Sequence, residues 1–260
     1  MKLMIFAKFV PDTYGKRGLD LETGMVDRVS EAVIDEIDER VAEAATQFKN
    51  DIGADDTEII AVTMGPDDAS QALRKVLAIG ADRAVHIVDD GLAGSDLVQT
   101  ARVLAAVVER EGADLVLAGA ESTDGQGGML AAAIAQLTGR PVAPSLDEAT
   151  ATATGISGVQ RDGTTETTLS VQYPAVVSLT EKIAEPRLPN FKAIRAAKKK
   201  PQEQLSLADL DLQAGPEAAY VRSTMVSAAQ RPARTAGPKV PAEDNAVKQL
   251  VDFLAERHVI

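Results

Sequence analysis

Along the first half of the chain, apolar residues fall into two alternating textures. Short unbroken runs at 3–9, 58–64 (EIIAVTM), 83–88 and 114–118 (DLVLA) have the look of strands buried on both faces. Between them lie stretches with three- and four-residue spacing. In 30–52, Val33, Ile37, Val41, Ala44, Ala45 and Phe48 share one helical face. A second helix is expected over 67–79, capped by Asp67 or Asp68 and stopped by Gly80. A third is expected over 95–111 with Ser95 as cap, and a fourth from about 128 to 137, ended by Gly139 and Pro141. This alternation predicts an α/β fold, a mostly parallel sheet with helices on both faces.

The texture changes after Pro144. Residues 148–158 and 164–173 are Thr/Val-rich and straddle Arg161, Asp162 and Gly163, which predicts an inserted β-hairpin. AVVSL at 175–179 is one more buried strand. From 181 to 200 basic residues prevail, and 201–242 is punctuated by Pro201, Pro216, Pro232, Pro238 and Pro241. A last amphipathic helix spans 244–257, with Val247, Leu250, Val251 and Leu254 on one side. The expected division is an α/β domain over 1–200 and an extended C-terminal arm with its helix over 201–260. Such an arm is unstable alone, so a partner subunit is the expected support.

Composition narrows the chemistry. Cysteine is absent, which removes disulfides, thiolate nucleophiles and Cys-held zinc or iron–sulfur sites. Only His86 and His258 are present, too few for a multi-histidine metal site. Aromatics are 3% with no Trp, and the net charge is −12; both argue against a nucleic-acid binder. No run approaches the length of a membrane span, and the opening MKLMIFAKFVPD lacks a signal peptide's long apolar region and cleavage site. A cytoplasmic chain without membrane insertion is expected. Redox or group-transfer chemistry would need atoms supplied by a cofactor or a partner.

The loop GAESTDGQGG at 119–128 follows a buried strand and opens a helix. Ligands of open α/β sheets collect beyond the carboxyl ends of the strands. Glycines admit a phosphate to the backbone, a helix N-terminus offers free N–H groups, and Ser122, Thr123 and Gln126 add hydrogen-bonding side chains. A plain strand–helix turn fits the same residues equally well. The loop has no Gly-Lys-Ser/Thr and is not a P-loop. Lys8, ending the first strand, is either solvated or turned into the same crevice. Asp35, Glu36, Asp38 and Glu39 would complement a helix dipole. Gly65, after Met64, either admits a flat ring to the backbone or simply stops a strand. The run 198–200 is either a solvated face or a steering patch for an acidic partner. His86, in an apolar strand, is read as a structural histidine. There is no nucleophile elbow and no metal-ligand cluster.

Taken together, these segments resemble the beta subunit of electron transfer flavoproteins almost end to end. The carrying stretches are AKFVPD, DEIDERVAEAA, AVTMGP, VLAIGADRAVHI and DLVLAGAESTDGQGG. YPAVVSLTEKIAEPRLPNFKAIRAAKKK is the most specific, followed by RTAG and the terminal helix. The resemblance implies a fold of the adenine-nucleotide-binding type, and a heterodimer whose alpha subunit holds or shares FAD while this subunit binds AMP structurally. It implies an electron carrier without bond-making chemistry of its own. Its partners would be the alpha subunit, client flavin dehydrogenases of the acyl-CoA type, as in fatty acid β-oxidation, and a membrane quinone oxidoreductase. The implied pocket comprises Ala7, Asp35, Glu36, Ile37, Asp38, Met64, Gly119, Ser122, Thr123, Asp124, Gly125, Gln126, Gly127 and Gly128. Phe191 is implied to lie on the loop that docks onto clients. Two departures stand out: many members have Asn-Pro at Asp35-Glu36, and the loop after Asp124 is shorter here.

Three alternatives stay open beside this one. A bifurcating relative would hold a second FAD in place of AMP. A stand-alone nucleotide-binding module would have no use for the long arm. A nucleotide-activating ligase would carry Ser-Gly-Gly-x-Asp-Ser where this chain has PDTYGK.

Overall fold

The computed structural model describes residues 1–15, 18–27, 32–52, 57–213, 223, 225–237, 239–242 and 244–260. The chain runs β1 (Lys2–Phe6), β2 (Phe9–Pro11), β3 (Ala32–Ile34), α1 (Glu36–Ile52), β4 (Glu58–Met64), α2 (Ser70–Ile79), β5 (Arg83–Ile87), α3 (Leu97–Glu111), β6 (Leu115–Gly119) and α4 (Leu130–Thr138). It continues with β7 (Val142–Leu146), β8 (Glu148–Ala151), β9 (Gly155–Asp162), β10 (Thr165–Gln172), β11 (Ala175–Leu179), α5 (Phe191–Ala197), β12 (Gln202–Leu205) and α6 (Ala246–Glu256). Two compact units divide it, Met1–Ser227 and Ala228–Ile260.

Among the described residues, seven strands form the main sheet in the order β12-β5-β4-β1-β6-β11-β7, and each neighbouring pair is parallel. Alternate residues of the central strands enter two separate cores. Leu3, Ile5, Ile59, Ala61, Leu115 and Leu117 pack against Val41, Ala45 and Phe48 of α1 and Leu73, Val76 and Leu77 of α2. Met4, Ile60, Val62, Val85 and Val116 pack against Leu104 and Val108 of α3 and Ile134 of α4. Burial on both faces is why these strands have unbroken apolar sequences. From β1 the chain builds outward through β4 and β5, then α3 carries it back across β1 to β6. The order reverses beside β1, the place where open α/β sheets collect ligands at the carboxyl ends of their strands.

The elements differ from the sequence expectation in several places. The first helix begins at Glu36, not 30; Ser30 and Glu31 lie outside the described residues. Ala32–Ile34 instead pairs antiparallel with β2. The helix starts only where Asp35 Oδ1 accepts the Ile37 N–H (3.1 Å), a stop that the spacing of Val33 and Ile37 conceals. Before α2, Asp67–Ala69 forms a 3₁₀ turn, and neither aspartate caps the helix. Asp96, not Ser95, caps α3 by accepting from Gln99 N at 2.9 Å. The insertion is a three-stranded antiparallel sheet, because a turn at 152–154 separates β8 from β9.

Two edge strands were not anticipated. β7 contains Pro144, which an edge tolerates because no ladder N–H is needed there. β12 is polar apart from Leu205 and adds to β5. Arg110 of α3 holds it through Glu203 at 2.6 Å. The sheet therefore extends past the expected boundary at residue 200. In the arm, Pro216 and Pro238 lie outside the described residues. α6 exposes Val247, Leu250 and Val251.

Gly158 tests the packing of the inserted sheet on β7. A Cβ there would collide with the backbone oxygen of Glu148 and stand 2.7 Å from Leu146 Cδ1. Gly158→Ala should cost about 2 kcal/mol or more in chemical denaturation, the range of overpacked cores. Gly112→Ala, at φ +62° with open space around it, should cost only about 1 kcal/mol.

Candidate functional site

The crevice is built at the end of β1. Ala7 is buried and donates its N–H to Val62 O at 2.9 Å, continuing the sheet by one residue. Lys8 then leaves the sheet. Its backbone N–H donates to Asp38 Oδ2 at 2.7 Å, and its carbonyl accepts from Asp35 N at 3.0 Å. Its ammonium donates to Asp124 Oδ1 at 2.6 Å and to Ser122 Oγ at 3.0 Å. Of the two readings of Lys8, the crevice is the one the structure adopts.

Asp35 and Asp38 open α1 and are buried, at 1% and 6% exposure. Asp35 Oδ2 accepts from both the backbone N–H and the hydroxyl of Thr123, at 2.7 and 2.9 Å. Asp35 thus holds the start of α1 to the loop after β6, and Asp38 holds it to the end of β1. Burial, reinforced by the charge of Asp35, raises the Asp38 carboxyl well above the usual range, and the Lys8 N–H only partly offsets this. Gly119 ends β6 so close to α1 that a Cβ would lie 3.0 Å from Asp38 Oδ1 and 3.1 Å from Ile37 Cγ2.

Inside the loop, Gly125 N donates to Asp124 Oδ1 at 2.7 Å, and Gln126 N to Ser122 O at 2.9 Å. Residues 125–129 are exposed. Gln126 and Gly128 take φ of 48° and 61°, in the left-handed region. A Cβ on Gly127 would meet nothing within 4 Å. α4 follows with no side-chain cap on its first turn. A cradle of small residues facing an uncapped helix N-terminus can accept a phosphate.

The structure brings Ala7, Asp35, Asp38, Gly119, Ser122, Thr123, Asp124 and Gly125 around Lys8, with Gln126, Gly127 and Gly128 at the open rim. Ile37 belongs to the core beneath. Glu36 is exposed and accepts from Thr13 Oγ1 at 3.0 Å, outside this cluster. Met64 ends the neighbouring strand β4, half-buried. The His86 ring nitrogen Nε2 bonds Gly65 O at 3.1 Å and so fixes the turn after Met64, a structural task.

The segment between β11 and α5 packs Ile183 and Ala184 on the core shared with α1 but leaves Leu188 and Phe191 outside it. Phe191 opens α5 at 79% exposure, with Asn190 Oδ1 capping through Ala193 N at 2.9 Å. It does not anchor the segment to its own domain. Leu188, which the sequence reading passed over, is 93% exposed beside it. A leucine between Arg187 and Pro189 in a polar stretch was the available signal. Within the basic run, Lys198 and Lys199 are exposed, while Lys200 Nζ donates to Leu77 O and Ala81 O at the end of α2.

Asp38 makes a pH-dependent prediction. Its folded-state pKa lies above the unfolded value, so the folded state holds an extra proton, and stability is lost as pH rises from the ordinary carboxylate range through the raised value. Asn at this position keeps an oxygen acceptor for the Lys8 N–H without the buried charge. Asp38→Asn should raise the melting temperature at pH 8, with the gain vanishing toward pH 4; an equal change at both pH values would refute the assignment.

Comparison with known proteins bears on the whole chain. The sequence profile of the electron transfer flavoprotein domain matches residues 23–210. The electron transfer flavoprotein subunit beta of Mycobacterium tuberculosis (strain ATCC 25618 / H37Rv) is 41% identical over 263 residues, 99% of both chains. That of Bacillus subtilis is 34% identical over 216 residues, 82% of this chain and 81% of the relative. The caffeyl-CoA reductase-Etf complex subunit CarD of Acetobacterium woodii is 29% identical over 268 residues, the full length of both.

Proposed function

Because this chain belongs to the electron transfer flavoprotein family, as a relative of its beta subunits, we propose that it is the beta subunit of a heterodimer that carries electrons from flavin dehydrogenases of the acyl-CoA type to a membrane quinone oxidoreductase in the cytoplasm. The alpha subunit holds or shares the FAD, which supplies the redox chemistry when bound. This chain binds AMP and makes no bonds of its own. Its relatives include a subunit of a named Etf complex, which supports a partnered role. The exposed apolar side of α6 is the proposed contact of the arm with the alpha subunit.

The observation that carries the nucleotide assignment is the cradle over 125–128 facing the uncapped start of α4, closed on its inner side by the Lys8 ammonium. The backbone N–H groups of the rim would hold the phosphate. Lys8 would lend positive charge to a crevice otherwise lined by Asp35, Asp38 and Asp124, and Gly119 keeps α1 close to the loop. Leu188 and Phe191 would form an apolar anchor for the client dehydrogenase. Lys182, Lys192, Arg195, Lys198 and Lys199 around them would steer an acidic surface.

Nucleotide identity and flavin count test this reading. The heterodimer should release one AMP and contain one FAD. Two flavins and no AMP would instead make it the bifurcating type. Gly127→Val and Gly128→Val should lower nucleotide content and heterodimer stability together, since the ligand stabilises only the folded form; unchanged content would reduce the loop to a turn.

Docking is tested separately. Phe191→Ala should raise the apparent KM for the flavoprotein in dehydrogenase-coupled assays, with a loss on the order of 2 kcal/mol for a buried anchor. Flavin content and melting temperature should not move. A variant that melts several degrees lower with normal coupling would remove Phe191 from the interface.

A further inference from the structure

Residues 180–190 carry no helix or strand, yet they and the first turn of α5 keep Leu188 and Phe191 in solvent. A loose segment would lay such side chains on the nearest apolar surface. Ile183 and Ala184 do pack on the core, and polar contacts direct the rest of the segment. Arg187 Nε and Nη2 bond the two carboxylate oxygens of Glu43 at 2.6 and 2.7 Å. Arg40 Nη1 donates to Ala184 O and to Glu185 Oε1, both at 2.8 Å. At the start of the segment, Asp147 accepts from Thr180 Oγ1 at 2.7 Å and Lys182 Nζ at 3.0 Å.

Glu43 is the unexpected member. It is 4% exposed, although at 3.6 residues per turn it shares the polar side of α1 with Arg40 and Gln47, the latter donating to it at 3.2 Å, and lies opposite Val41 and Ala45. A carboxylate there is costly unless charge-assisted bonds satisfy it. Both its oxygens are taken by Arg187, whose own side chain is half exposed. Its burial comes from the segment it holds, since the Arg187 fork covers it from above α1. We propose that Glu43 and Arg187 are positioning residues for client docking: the forked pair fixes 184–190 on α1, and Leu188 and Phe191 are thereby presented as a preformed anchor. The inference rests on the docking role given to this segment above. A preformed anchor spares the association the ordering of a loop and two large side chains.

Glu43→Gln is the informative variant. It keeps the shape and one acceptor, removes the charge, and leaves the exposed guanidinium in water. Arg187→Ala would strand a buried carboxylate and is prone to unfolding. Arg187→Lys therefore serves as the second variant, since it retains charge but loses the fork. In the purified heterodimer, both should raise the apparent KM in the dehydrogenase-coupled assay by about fivefold or more, with kcat unchanged. Amide hydrogen exchange should quicken over 184–191 and stay the same over 119–128. Leu188→Ala/Phe191→Ala, made in parallel, separates the two layers of the argument. If that double variant raises KM while Glu43→Gln and Arg187→Lys change neither KM nor exchange, positioning is overturned and docking stands. If the double variant leaves KM unchanged, docking falls and positioning falls with it. A lower melting temperature with normal KM in the Glu43 and Arg187 variants would make the pair a stability element and overturn the proposal.

Discussion

Two buried carboxylates at the start of α1 tie together three parts of the chain that are far apart in sequence. Asp38 receives the backbone N–H of Lys8 as it leaves β1, and Asp35 receives the N–H and hydroxyl of Thr123 from the loop after β6. Neither aspartate would be tolerated at this depth without donors, because an unpaired buried charge costs several kcal/mol. The donors in turn exist only because the sheet order reverses beside β1 and brings the ends of β1 and β6 together. The crevice, the shape of its loop and the direction of α1 follow from this one constraint. Lys8 completes it from the other side, its backbone held by Asp38 and its ammonium by Asp124.

The buried strands and the long helices were legible in the sequence because each has one environment along its length. EIIAVTM and DLVLA are apolar on both faces, and their pairings are parallel as expected. What escaped lies at sheet edges and cap positions. β7 is broken by Pro144 and β12 is QEQL, so neither carries a periodic apolar signal; only their neighbours make them strands. Asp96 took the capping role from the adjacent Ser95 because both residue types suit the same position. Of the site, the place of the Gly-rich loop between β6 and α4 was readable, while the orientation of Lys8 was left open between solvent and that loop. That Glu36 turns away while Asp35 and Asp38 turn inward was not readable, since it depends on where the first turn of α1 begins. Glu43 was invisible for a related reason: an acid on the polar side of a helix gains meaning only from the arginine of a distant segment that covers it.

α1 therefore serves the crevice and the proposed docking segment at once. Asp38 and Glu43 are five positions apart on it, about 7.5 Å along the axis at 1.5 Å per residue. The helix is rigid over that span because its apolar side, Val41, Ala45 and Phe48, is fully engaged in the core beneath the sheet. Its first turn is the less secure part, since that turn depends on a raised, partly compensated Asp38 and on a loop whose rim is exposed. A nucleotide seated on that rim would add contacts to the end of α1 that most needs them, and would stabilise the folded form in proportion to its saturation. On the proposed function, a ligand with no redox chemistry then has a physical reason to be retained in an electron carrier. It would secure the helix to which the docking segment is tied, and the exposed Leu188 and Phe191 would keep a fixed place relative to the sheet.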